Sequence, residues 1–247
     1  MLRRNLHADL LKMKGLPVTY AHILIPILTS GIFLSYYSFS GWSENTKIIA
    51  FYQAIGAGFP VLIGIFTASM QEQEQNAGAC QNLLTLPDKT AAFSSKVVLL
   101  LMFSLFSLLL TAGVFWLGCR SILSCRTISI ATHLTAALIM WFTGIPIYMW
   151  QLLLAFRFGK GVSIGAGIFS GLVSVLLLTD LGMLIWKYIP ISWTGRIPYA
   201  YLRLALGEAD QSGELTTVIP IFCCFAVISI GYFLFRASHW EEIKITD

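Results

Sequence analysis

Six apolar runs of membrane-spanning length, separated by short polar stretches, limit what this chain can fold into. They cover about residues 18–39, 48–69, 91–117, 128–156, 162–186 and 215–235. A helix needs about 20 apolar residues to cross the hydrocarbon of a bilayer, where every backbone group must be satisfied within the protein. The expected fold class is an all-α membrane protein with six transmembrane helices, forming a single transmembrane domain over residues 1–247. Composition agrees: 57% of residues are hydrophobic and 11% charged, against about 45–50% and about 25% in an ordinary soluble domain. Spans of this length use roughly half the chain, which leaves no room for a soluble catalytic domain. The net charge of +4 comes from basic residues beside the apolar runs, a topology signal that does not make a nucleic-acid surface. Ten of the 16 Lys and Arg residues fall on the side that holds the amino terminus and six on the other, so both termini are expected in the cytoplasm.

Three polar stretches carry most of the remaining information. Residues 70–90, MQEQEQNAGACQNLLTLPDKT, form a polar island between the second and third runs. It is expected in water on the cytoplasmic side, and its Leu83, Leu84 and Leu86 need a surface to cover, lipid or preferably a partner protein. Residues 1–14 place Leu2, Leu6, Leu10 and Met13 on one helical stripe beside Arg3, His7 and Lys14, the pattern of an interfacial helix. In 187–214, Pro198 suits a first helical position and Gly207 a stop. The helix between them, about nine residues, is too short to span. An external hairpin is expected, with Gly195 and Gly207 accessible, Tyr201 protected, and Tyr199, Leu202 and Leu206 on one apolar face.

Candidate functional residues are few. Gly161, Gly165, Gly167 and Gly171 give two small-xxx-small spacings that suit close helix packing. Asp180 is the one carboxylate well inside a run, which makes it a substrate-path candidate, with a waterside or packing role as the competing reading. Trp193, Tyr199, Tyr201 and Arg203 in the hairpin are the other candidates for that path. Lys96 is expected to snorkel and His133 to sit at the interface. Intramembrane protease constellations are absent, Ser170 being a near miss, and so is a phosphate-binding GxxxxGK[ST] loop. The chain is therefore expected not to be an enzyme. No metal-ligand spacing occurs, and Cys119 and Cys125 bracket a short loop that an oxidising side would allow to be bridged.

The island text Glu72, Glu74, Gly78, Gln81, Asn82, Leu83 and Leu84 resembles the coupling segment of type 2 exporter permeases of the ATP-binding-cassette class. Lys12-Met13-Lys14-Gly15, Ile23-Leu24-Ile25-Pro26 and the Glu74 to Leu84 text are most similar to bacterial permeases that confer lantibiotic immunity or bacitracin resistance. The resemblance implies an N-terminal interfacial helix, a cytoplasmic coupling helix within 70–90 and an extracellular hairpin before the last helix. It implies as partners an ATPase dimer that carries ATP and Mg, a second, different permease, membrane lipid and an amphipathic antimicrobial peptide as substrate. It implies no cofactor on this chain and a place in the bacterial cell membrane. A stand-alone six-span secondary transporter or membrane scaffold is the alternative.

Overall fold

A computed structural model describes residues 2–86, 88–125, 128–208 and 211–240. Arg126 and Lys244, both counted above, and the side chains of Asn82 and Leu84 lie outside the described residues. The described chain is helical throughout, without a strand: α1 (Leu2–Met13), α2 (Pro17–Phe39), α3 (Glu44–Asn76), α4 (Gln81–Leu84), α5 (Lys89–Ser121), α6 (Ile130–Phe158), α7 (Lys160–Leu178), α8 (Trp193–Ala205) and α9 (Ser212–Ser238). Six of them, α2, α3, α5, α6, α7 and α9, are long and apolar enough to cross a membrane.

Local chemistry sets the helix ends. Pro17 opens α2, where its missing N–H is not needed. Ser43, Asp88 and Ser129 cap α3, α5 and α6 by accepting from the backbone N–H of Thr46, Ala91 and Thr132. Gly159, at φ +85°, is the single residue between α6 and α7. A left-handed conformation there lets the chain reverse with almost no loop.

Helix α3 lies at the centre, with α7, α6 and α8 packed against it, while α2 leans mainly on α5 and α9 on α6. Lipid offers no hydrophobic drive between spans, so close backbone approach has to supply dispersion contacts. The α3–α7 crossing does this at Gly64 and Gly167. A Cβ built on Gly64 would stand 2.8 Å from the Gly167 Cα, and one on Gly167 would stand 2.9 Å from the Gly64 Cα.

Several boundaries differ from the sequence reading. Helix α3 runs on to Asn76 instead of stopping near residue 69, so the front half of the polar island is helical. Helix α7 stops at Leu178, well before residue 186, and three 3-10 turns lead into α8. Buried Arg196 explains the stop: its Nε donates to the Leu177 carbonyl at 2.7 Å and its Nη2 to the Thr179 carbonyl at 2.8 Å. These groups at the helix end would otherwise be orphaned. Helix α8 begins at Trp193 and spans 13 residues, with Pro198 inside it instead of at its first turn. Gly207, at φ +68°, follows its end as expected. Helix α6 passes through Gly144-Ile145-Pro146 without a break.

Candidate functional site

At one end of the bundle four charged side chains meet. Asp9 of α1, Glu74 of α3 and Lys96 of α5 are 5%, 3% and 1% exposed, and Lys12 of α1 reaches in from the edge. Glu74 Oε1 accepts from Lys12 Nζ at 2.7 Å and from Lys96 Nζ at 2.6 Å. Lys96 Nζ also donates to Asp9 Oδ1 at 2.9 Å, and Ser95 Oγ donates to Asp9 Oδ2 at 2.6 Å. Two carboxylates face two ammonium groups, so the cluster is formally neutral and each buried charge has a partner, the condition under which such groups are tolerated. Its effect is to fasten α1 to the end of α3 and the start of α5.

The positions expected to couple to an ATPase divide between inside and outside. Thr67, Met70 and Glu74 lie on one face of the prolonged α3, and all three are buried. Glu74 is therefore not in water, contrary to the reading of a wholly solvated island, because the helix continues and turns it inward. Leu83 is also buried, packed in the main core. Lys96 does not snorkel, since two carboxylates hold it inside. Glu72 is partly exposed and paired with Lys160 at the start of α7. The exposed surface is the turn from Gln75 to Ala79, followed by Gln81. Gly78, Ala79 and Cys80 there all take positive φ, at 129°, 48° and 59°. On α1 the inward face is Leu6, Asp9 and Met13, while Leu2 and Leu10 of the expected stripe are exposed.

The prolines of α2 and α3 expose carbonyls that other helices satisfy. Pro26 has no N–H for the carbonyl of His22, four residues earlier, and Ser107 Oγ of α5 donates to that oxygen at 2.8 Å. Pro60 frees the Gly56 carbonyl in the same way, and Thr194 Oγ1 of α8 donates to it at 2.9 Å. Beside the first of these, α2, α3 and α5 enclose a cavity of about 380 Å³ lined by His22, Pro26, Thr29, Gly58, Phe66 and Thr111. His22 stacks on Phe66 at 4.0 Å, and the hydroxyls of Thr29 and Thr111 turn back to their own helix carbonyls. The wall is thus mostly apolar.

The opposite end holds the expected substrate-path residues, which do not form one site. Asp180 lies outside α7, exposed on a 3-10 turn, because the helix has ended before it. Trp193 is buried, with its Nε1 on the Lys187 carbonyl at 3.1 Å and its ring edge-on to Phe222 and Phe225. Tyr199 and Arg203 pair with each other, Arg203 Nη1 donating to Tyr199 Oη at 2.9 Å, and Tyr201 is partly buried. Gly195, expected to be accessible, is buried against Gly56, and a Cβ on Gly56 would come within 2.5 Å of the Gly195 Cα. Gly56 is 12 residues into α3, about 18 Å along the helix at 1.5 Å per residue. Helix α8 thus packs well down the bundle. Burial lowers the Arg196 guanidinium from its ordinary value, opposed by the nearby Tyr199, Glu214 and Asp180.

Of the four glycines expected in close packing, Gly167 and Gly171 meet α3, the latter against Val61. Gly161 and Gly165 have no neighbouring atom within 4 Å of a built Cβ. His133, in the first turn of α6, is buried between helices, and Tyr52 Oη lies 3.1 Å from its Nδ1 across the α3–α6 contact. Cys119 and Cys125 are unbridged. Sequence reasoning missed the joint role of Asp9, Lys12 and Lys96 and the cap made by Arg196. For Lys96 the available signal was a lone charge at the start of an apolar run; Asp9 and Lys12 lie in a stretch already rich in charge and gave none.

No curated protein and no solved structure matches this chain significantly. Residues 6–174 match the family described as ABC-2 family transporter protein. The match begins in α1 and ends within α7, so it takes in the ion cluster, the exposed turn and the lateral cavity. With most of its 247 residues matched and six helices of spanning length, the chain belongs to the ABC-2 transporter family, as a multi-pass membrane permease that works with an ATP-binding-cassette ATPase.

Proposed function

We propose that this chain is the permease subunit of an exporter that removes lantibiotic or similar antimicrobial peptides from the bacterial membrane, working with a second, different permease and an ATPase dimer that holds ATP and Mg. The observation that carries the coupling part of this reading is the buried Asp9–Lys96–Glu74–Lys12 cluster. It joins α1, α3 and α5 at the end that carries the exposed Gln75–Ala79 turn. A push on that turn would reach two spanning helices and α1 together. ATP binding closes the ATPase pair, the turn and Gln81 take up the motion, and the packing between the two permeases rearranges. The peptide then leaves outward. Both termini face the cytoplasm in this scheme, and α8 with its 3-10 approach lies at the outer side.

The substrate class is supported by the sequence likeness around Lys12 to Pro26 and Glu74 to Leu84, and by the apolar lateral cavity of about 380 Å³ between α2, α3 and α5. A cavity of that kind suits the apolar face of an amphipathic peptide drawn from lipid. The test uses cells that express this chain with its ATPase and second permease. Expected outcomes are a raised inhibitory concentration for lantibiotics, and loss of that protection together with loss of ATPase co-purification in Asn76→Lys/Gln81→Lys, whose side chains are exposed. Undiminished co-purification and protection in that variant would remove the coupling assignment. Unchanged lantibiotic sensitivity with the intact system would remove the substrate assignment.

A further inference from the structure

A second concave site lies between α6 and α9, away from the cavity and from the ion cluster. It is a groove of about 360 Å³ whose walls include Trp150, Arg157, Tyr232, Arg236, His239 and Trp240. Its polar rim is cationic. Arg157 and Arg236 stand in the last turns of their helices, and neither has a carboxylate partner among the described residues. Arg157 rests over the Phe158 ring, 5.4 Å from its centroid. His239 turns Nδ1 to the Phe235 carbonyl at 3.0 Å, which leaves Nε2 for another group.

The inner wall is aromatic and fixed. The Trp150 and Tyr232 rings stack at 4.6 Å with an interplanar angle of 14°, and Trp150 Nε1 donates to Ser229 Oγ at 3.0 Å. Trp240 closes the end of the groove, packed on Phe93 and Phe156 and held by Lys89 Nζ on its carbonyl at 2.9 Å. Trp150 is seven residues before Arg157 on α6, about 10 Å further along the helix. The groove therefore presents cations at one end and a flat apolar wall leading away from them along the spanning helices. A small soluble anion would use only the rim. A molecule with one anionic head and an apolar body uses both parts, and the surrounding membrane supplies such molecules at high local concentration.

We propose that this α6–α9 groove is a defined binding site for one anionic glycerophospholipid, its phosphate held by Arg157 and Arg236 and its glycerol and upper acyl region laid on Trp150 and Tyr232. Basic pockets between spanning helices are suited to anionic headgroups by their charge and their position at headgroup depth. Two guanidinium groups add donors that match phosphate oxygens. The site is separate from the proposed peptide path, and the lipid is a bound component of the permease instead of its cargo.

The test is native mass spectrometry of the full-length chain in detergent, titrated with phosphatidylglycerol and with phosphatidylcholine of the same acyl chains. One phosphatidylglycerol should be retained per chain, at least about tenfold more tightly than phosphatidylcholine, the difference expected from a charge-assisted contact. Arg157→Gln/Arg236→Gln should abolish that preference, while Arg120→Gln, on an exposed arginine at the far end of α5, should leave it unchanged. Millimolar inorganic phosphate should not displace the lipid; displacement would mean a free-anion site and overturn the proposal. Equal retention of the two lipids by the wild-type chain would also overturn it, and is the result expected if Glu241 and Glu242 of the carboxyl-terminal tail satisfy the arginines. The headgroup comparison needs no variant, so it decides the matter even where the double substitution fails to fold.

Discussion

Lys96 is the residue on which this end of the bundle, the one with the ion cluster, turns, because it is shared by two carboxylates on different helices and has almost no contact with water. Removing one member of a buried ion pair leaves the others charged and uncompensated, at a cost of about 3–5 kcal/mol. Lys12, whose side chain is 36% exposed, is screened by solvent, and its loss should cost about 1 kcal/mol or less. Thermal unfolding in detergent is expected to place Lys96→Met far below Lys12→Met; equal shifts would mean that the cluster does not hold the helices together. Thr194 acts on another helix, since its hydroxyl satisfies the carbonyl that Pro60 frees at Gly56. Thr194→Val keeps the shape and removes the donor, leaving a buried acceptor unpaired at a cost of about 1–3 kcal/mol. A lowered unfolding temperature checks this, and a wild-type value would show that the freed carbonyl finds another donor.

At the scale of elements, α3 and α7 carry the closest approach. The small-xxx-small spacings of α7 predict such a contact without saying which glycines make it. Gly167 faces Gly64 backbone to backbone, whereas Gly165 points to open space. Gly167→Val is expected to force the helices apart, with overpacking costing about 1–3 kcal/mol and a fall in the yield of folded chain. Gly165→Val should leave the isolated permease folded and lower its yield only in complex with a second permease. If Gly165→Val is the more damaging in the isolated chain, it is Gly165 and not Gly167 that α7 turns toward α3. The helix between Ser192 and Gly207 was legible as a short non-spanning element, yet its depth was not. That depth follows from the fit of Thr194 and Gly195 onto Gly56, a match between residues about 140 positions apart.

For the whole molecule, orientation is the property that the exporter reading requires and that labelling can check. The background is a chain without its five native cysteines. A cysteine in place of Tyr188, which is 67% exposed, should react with an impermeant thiol reagent on intact cells. One in place of Gln75 should react only after permeabilisation. A cysteine at Gly195 should react in neither case, because that position is enclosed by α3 and α7. Labelling of position 75 on intact cells would invert the topology and move the proposed ATPase contact to the wrong side.

Span number and the all-helical class follow from the sequence alone, because hydrocarbon admits long apolar helices by composition. The family likeness is legible there too, through the Glu72 to Leu84 text. What only the tertiary structure decided is which way each polar residue turns. Glu74 reads as a solvated residue until α3 is seen to run seven residues past Ser69, and its inward face then meets Lys12 and Lys96. Asp180 reads as a charge within a spanning helix until Arg196, 16 positions later, takes the carbonyls of Leu177 and Thr179 and α7 ends ahead of it. The partners in both cases are remote in sequence, and burial of a charge depends on a partner being brought to it. The length of an apolar run specifies that a helix can cross the bilayer; the pairing of a few polar groups across helices specifies where it stops and what it faces.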